Sequence, residues 1–138
     1  ERYVEKISGP LLDRIDLHVN VPSVEYEAIR RRSPAESSAA VKARVEAARA
    51  IQKKRFAGTA VTCNAAMTPE MVGRFCPLDE AGEALMKSAF TRMGLTARSH
   101  DRILRLARTI ADLEGAADIG PAHLAEAIQY RNTDILRG

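Results

Sequence analysis

From Ile15 to Val21 apolar and polar residues alternate strictly, a period of two that predicts a half-buried strand closed by Pro22. Ahead of it, Ser8-Gly9-Pro10-Leu11-Leu12-Asp13-Arg14 reads as a short helical turn leading into the strand, with Gly-Pro as punctuation. Residues 23–36 show no clear period and read as a connection. Within them, Ser33-Pro34-Ala35-Glu36 fits a capping box with proline at the first helical position. A helix is therefore expected to begin near 34–38 and run to about Phe56, with Val41, Val45, Ala48 and Phe56 on its apolar stripe and Ala57-Gly58-Thr59 as its end. Thr68-Pro69-Glu70 starts a short helix that stops by Cys76-Pro77. Asp79 caps the next, with Ala81, Leu85 and Ala89 on one face and Gly94 closing it. Thr96 caps a helix over about 97–114, with Ile103, Leu106, Ala107, Ile110 and Leu113 inward and Gly115 as terminator. Gly120-Pro121 opens a last helix with Leu124, Ala127 and Ile128 inward. The predicted class is mainly α: a bundle of about five helices behind one turn and one strand.

Composition adds bounds. The chain has 138 residues, enough for one domain with a core, at 46% hydrophobic and 28% charged. No run of about 18 apolar residues occurs, so no membrane span is expected. The first residues are too charged for a secretory signal core, and with no starting methionine the chain is expected to be a piece of a longer protein. The net charge of +3, from 21 basic and 18 acidic residues, permits an acidic partner such as nucleic acid without demanding one. Cys63 and Cys76 form no CxxC pair or zinc pattern, and fit buried thiols in a reducing cytoplasm.

Several chemistries are excluded. There is no GxxxxGK[ST] loop to cradle phosphates, no HExxH and no GxSxG. His123 and Glu126 form a single His-x-x-Glu pair, where a di-iron bundle repeats the motif with further carboxylates, so no metal site is expected. The arginines carry more. Arg14 stands where a helical turn meets a strand, and its guanidinium could meet phosphate or pair with Asp13 or Asp16. Arg98, Arg102 and Arg105 fall opposite the apolar stripe of their helix. Arg98 lies in the first turn, where the dipole disfavours a cation; a bound anion would relieve this, and a solvated surface is the other reading. Arg102 and Arg105 read as a salt-bridged surface, since Asp101–Arg105 and Arg108–Asp112 are spaced i,i+4. Gln52 and Arg55 continue the buried stripe of the first long helix, so each needs a polar partner. Packing against a polar loop is the simpler explanation, ligand contact the alternative.

In order along the chain, Ser8-Gly9-Pro10-Leu11-Leu12-Asp13-Arg14-Ile15-Asp16, Gln52 with Arg55, Asn64, Ala97-Arg98, the run Ala107 to Glu114 and the ending Ala125 to Arg131 resemble the C-terminal region of the magnesium-chelatase-related YifB/ComM family of AAA+ ATPases. The resemblance covers nearly the whole chain. It implies that 1–22 are the tail of the ATPase core (the arginine-finger turn and the last strand), 23–36 a linker, and 37–138 a helical lid domain. Leu11-Leu12-Asp13-Arg14-Ile15-Asp16 matches the Leu-Leu-Ser-Arg-Phe-Asp segment of related helicases, which makes Arg14 the candidate finger acting in trans. Ala97-Arg98-Ser99-His100-Asp101 lines up with their sensor-2 segment, which makes Arg98 the candidate sensor 2. It further implies ATP and magnesium in the full-length protein, Walker motifs upstream of Glu1, a homo-oligomeric ring (a hexamer), DNA as partner, and a cytoplasmic protein without membrane association. The fragment alone is expected to be inactive, with 1–22 displaced: disordered, paired with another copy or folded onto the lid. The alternative is a helical module that binds nucleic acid or a partner without motor action. At 4% aromatics, single-strand stacking platforms are disfavoured.

Overall fold

The computed structural model describes residues 8–21, 23, 30 and 35–131. It contains α1 (Gly9–Arg14), α2 (Ser38–Arg55), a 3-10 turn (Asn64–Ala66), α3 (Pro69–Phe75), α4 (Glu80–Met93), α5 (Ala97–Glu114) and α6 (Pro121–Gln129). The fold is mainly helical, a lid-type bundle, and the described residues contain no strand. No helix among them is long and apolar enough to cross a membrane.

Local chemistry sets most boundaries. Thr68, Asp79 and Thr96 each accept a hydrogen bond from a first-turn amide, those of Met71, Gly82 and Ser99, and so begin α3, α4 and α5. Gly94 and Gly115 adopt left-handed conformations (φ 58° and 76°) that end α4 and α5, and the amide of Ala116 reaches back to the Ala111 carbonyl at 2.9 Å. The cap of α2 is displaced from the expected position. Ser37, not Ser33, holds the Ala40 amide, and Glu36 turns away to pair with Arg44. Ser33 and Pro34 lie outside the described residues.

The helix α5 is the axis of the bundle, with α2, the 3-10 turn, α3 and α6 against it and α4 on α6. Ile103, Ala107 and Ala111 are buried on one row of α5 and Leu104, Arg108 and Asp112 on the next. Around the first row gather Phe56, Met67, Val72, Cys76, Met86, Ile119, Leu124 and Ala127. Phe56 and Phe75 lock the ends of α2 and α3 edge to face, 5.5 Å apart at 86°.

Two expected faces are rotated. On α4, Gly82, Met86 and Ala89 are buried while Ala81 is exposed and Leu85 half-buried, because Met86 is the residue that reaches the core from above α6. On α5, Leu113 is exposed and Asp112 buried beside it. Val41 and Val45 on α2 stay about 40% exposed, since the described part of the bundle covers only the C-terminal half of that stripe.

The strand expected over 15–21 does not form. A strand needs a partner ladder, and here His18 alone of its polar positions is buried against the helices. The amide of His18 donates to the Tyr130 carbonyl at 2.8 Å, and His18 is buried. Ile15, Leu17, Val19 and Val21 face outward, Val21 at 82% exposure. The alternation is real, yet neither side is buried as a whole: Asp16 and Asn20 are exposed along with the apolar positions, and only His18 is enclosed. Residues 8–21 therefore lie along the bundle, one of the arrangements anticipated for them.

Candidate functional site

The helix α5 carries arginines at 98, 102, 105 and 108, and their surroundings divide them. At the C-terminal end, Asp112 is fully buried (0% side-chain exposure) and its carboxylate is the hub of a polar cluster. The end of α2 brings Arg55, whose guanidinium forks onto both carboxylate oxygens at 2.7 and 2.5 Å. Arg55 also donates to Asn64 Oδ1 at 2.9 Å, and Asn64 Nδ2 donates to Asp112 at 2.8 Å and to Thr109 Oγ1 at 3.1 Å. Gln52 Oε1 accepts from the Asn64 amide at 2.9 Å. Arg108 donates to Asp112 at 3.2 Å and to the Ala116 and Ala117 carbonyls at 2.8 and 2.9 Å.

A carboxylate this buried is tolerable only with its oxygens satisfied and its charge opposed. Two guanidiniums and an amide do both, and they tie α2, the 3-10 turn and the end of α5 together. Gln52 and Arg55 thus meet a polar loop, the simpler of their two readings. The Arg108–Asp112 pair forms, but in the interior and not on the surface. Asp101–Arg105 does not form: Arg105 donates to the Met67 carbonyl at 2.8 Å, while Asp101 meets His100 Nδ1 at 3.2 Å. The roles of Asn64 and Asp112 were not apparent from the pattern of residues. The available signal was Asp112 itself, which sits beside Ala111 inside the buried arc of the helix.

The N-terminal end differs. Arg102 donates to the Arg14 carbonyl at 2.9 Å and pairs with the Asp16 carboxylate. Buried Arg131, just past α6, donates to the Ile15 carbonyl and to Ser99 Oγ at 3.3 Å. These contacts hold the end of α1 at Arg102, which stands one helical turn after Arg98 on α5. Arg14 itself does not pair with Asp16, which Arg102 takes; the side chain of Asp13 is outside the described residues. Among the described residues the guanidiniums of Arg14 and Arg98 are exposed and make no hydrogen bond or ion pair. The backbone of Arg14 thus lies against the half of α5 that carries Arg98.

Other titratable groups are structural. His123 pairs with Glu114 through Nε2 and accepts the Gly120 amide on Nδ1 at 2.9 Å, while Glu126 meets the Tyr130 hydroxyl at 3.4 Å. His123 and Glu126 therefore serve separate contacts. No group of three or more His, Cys, Asp or Glu among the described residues could hold a metal ion. Burial pushes the Cys76 thiol up to about 11, outweighing the opposing effect of Arg108 and Arg55.

Residues 35–131 match the family model described as magnesium chelatase, subunit ChlI C-terminal, and residues 1–29 match magnesium chelatase, subunit ChlI. The chain belongs to the magnesium chelatase family. Among its relatives are the competence protein ComM of Haemophilus influenzae, 37% identical over 131 residues, and the uncharacterized protein YifB of Escherichia coli, 38% identical over 136. These alignments cover 94% and 98% of this chain but 25% and 26% of the relatives. The chain thus spans about a quarter of the length of the curated relatives it matches. Within the family it falls among the ComM/YifB magnesium-chelatase-related members. An uncharacterized protein of Mycobacterium bovis is similar at 33% over 136 residues.

Proposed function

We propose that this chain is the C-terminal portion of a ring-forming AAA+ ATPase, with 1–22 as the tail of the core, 23–36 as linker and 37–138 as helical lid. Arg14 is the arginine finger offered to a neighbouring protomer, and Arg98 is the sensor 2 of its own. The observation that carries this reading is selective freedom: Arg102, Arg105 and Arg108 are engaged inside the fold, whereas Arg14 and Arg98 are not. A free guanidinium keeps its full charge and its bidentate geometry for phosphate oxygens. Arg98 also stands in the first turn of α5, where the helix dipole calls for an anion. The exposure of Val19 (62%) and Val21 (82%) further supports a core that packs on them in the longer protein.

ATP is the substrate that suits these two cations. Magnesium would neutralise charge on the phosphates in the full-length protein, where the described residues of this chain contribute cations. Hydrolysis would be coupled to DNA remodelling in a hexameric cytoplasmic ring. That part rests on the family resemblance and on a relative named as a competence protein. A second reading, direct binding of nucleic acid, is favoured by exposed Lys42, Arg49, Lys53 and Lys54 on α2. It requires binding by the isolated chain with a steep salt slope.

Mixed rings of full-length protein test the assignment. Arg14→Ala and Arg98→Ala should each turn over ATP far more slowly alone. Mixed, they create junctions where a sound Arg14 from one subunit meets a sound Arg98 in the next, and turnover should partly return. No recovery in rings shown to be mixed would reject the arrangement.

A further inference from the structure

Beyond that reading, we propose that the groove between α2, the residues that follow it and the end of α5 is a docking site for an amphipathic, acidic helix of a partner protein. The groove offers about 750 Å³, within the range of specific binding pockets. Its floor is apolar, with Val45, Ala48, Phe56, Val61 and Leu113 lining it. Val45 and Leu113 are exposed there, and exposed Val41 extends the floor one turn further along α2. The bundle thus holds α2 by its C-terminal half, and no described residue covers the apolar ridge of its first turns.

Charge narrows the occupant. Arg49 and Lys53 stand on the rim, one turn apart on α2, and among the described residues no carboxylate lines the groove. Other charges of α2 are engaged within the chain: Lys42 meets Glu46 at 3.6 Å, Arg44 meets Glu36 at 3.0 Å, and Arg55 meets Asp112. Arg49 and Lys53 make no hydrogen bond or ion pair among the described residues. An apolar floor edged by uncommitted cations suits a ligand that is apolar on one side and anionic beside it. A helix with large side chains at i, i+3, i+4 and i+7 and flanking carboxylates has that chemistry, and it can lie along a helical ridge of this kind. A nucleic-acid backbone would meet the two cations but leave the apolar floor in water. Burial of the floor supplies affinity, and the cations supply orientation and rate of encounter. The groove also lies away from the nucleotide site that Arg98 is proposed to serve. Its residues Thr109 and Leu113 follow Arg98 by 11 and 15 residues on α5, about 17 and 22 Å along the axis at 1.5 Å per residue. Only the groove's being open in the longer protein rests on the proposed function; its chemistry is set by this chain.

Cys63 lines the groove and is half-buried, whereas Cys76 is buried, so alkylation of Cys63 reports occupancy. The test uses the full-length protein and a synthetic helical peptide of about 18 residues, with leucines at those spacings and glutamates beside them. A second peptide carries lysine in place of every glutamate. Binding is read by fluorescence anisotropy, and iodoacetamide modification of Cys63 by mass spectrometry of the fragment that contains it. The glutamate peptide should bind about tenfold or more tightly than the lysine peptide, and it alone should slow alkylation of Cys63. Arg49→Glu combined with Lys53→Glu should reverse the preference between the peptides, which a variant that merely failed to fold would not do. Val45→Asp, at an exposed position outside the core, should weaken the glutamate peptide about tenfold. Equal binding of the two peptides, or no binding, overturns the proposal. Stronger protection of Cys63 by a DNA duplex overturns it in favour of a nucleic-acid site. Protection of Cys63 in the free protein overturns it as well: if it rises with protein concentration the occupant is a second copy, and if it is constant the occupant is the protein's own core. None of these readouts depends on ATP turnover by Arg14 or Arg98 variants, so the docking site and the proposed function can fail separately.

Discussion

The two ends of α5 use the same residue type for opposite purposes. At the C-terminal end Arg108 is buried and makes hydrogen bonds to Asp112 and two carbonyls through all three of its nitrogens. At the N-terminal end Arg98 is exposed with no bond among the described residues. Arg102 and Arg105 lie between, each giving hydrogen bonds to a backbone carbonyl. The difference is one of enclosure. Asp112 is surrounded by α2, the 3-10 turn and the residues after α5, so a charge there must be matched. No other described element encloses Arg98. A row of arginines at helical spacing is thus not a uniform patch, and what each can bind depends on what the fold has already taken.

The largest effect expected on this comparison is functional. Arg14→Ala in the full-length protein should lower ATP turnover by about 10³–10⁵ while leaving nucleotide affinity nearly intact, as loss of a finger does. Single-turnover hydrolysis beside a nucleotide titration checks it. Next comes the hub. Asp112→Ala strands Arg55 and Arg108 without their counter-charge and should cost about 3–5 kcal/mol in urea unfolding. For a domain of this size that is a large share of the total. A loss below about 1 kcal/mol would mean that the cluster does not hold α2 to α5.

A smaller effect is readable through pH. In the unfolded chain the Cys76 thiol ionises near 9, and in the fold near 11. Below 9 the thiol is neutral in both states and the contribution is fully present. Between 9 and 11 only the unfolded chain releases its proton, so stability falls as pH rises, by up to about 3 kcal/mol. Cys76→Ala should flatten that part of the stability profile. Equal slopes in both proteins would show that the thiol is not enclosed.

Helix order, caps and breaks were legible because they are local. Asp79, Thr96, Gly94 and Gly115 act within a few residues of themselves. Arg14 and Arg98 were singled out only by resemblance, since charge patterning left each with a surface alternative. The 15–21 segment was misread for a non-local reason. Period two reports which residues share a side, and neither whether a partner strand exists nor which side will be covered. The Asp112 hub was missed because Arg108–Asp112 has the spacing of an ordinary surface pair. The contacts that distinguish it, from Arg55 and Asn64, come from residues 57 and 48 positions away.

Arg98, exposed and without a bond among the described residues, is expected to be dispensable to the fold and needed for turnover. This is tested most directly by measuring, for Arg98→Ala in the full-length protein, the urea unfolding midpoint together with steady-state ATP turnover. Stability should stay within about 0.5 kcal/mol of wild type, as for an exposed residue without partners among the described residues, and turnover should fall on the order of 10²-fold. A destabilised protein, or one as stable as wild type that hydrolyses ATP at the wild-type rate, would contradict this.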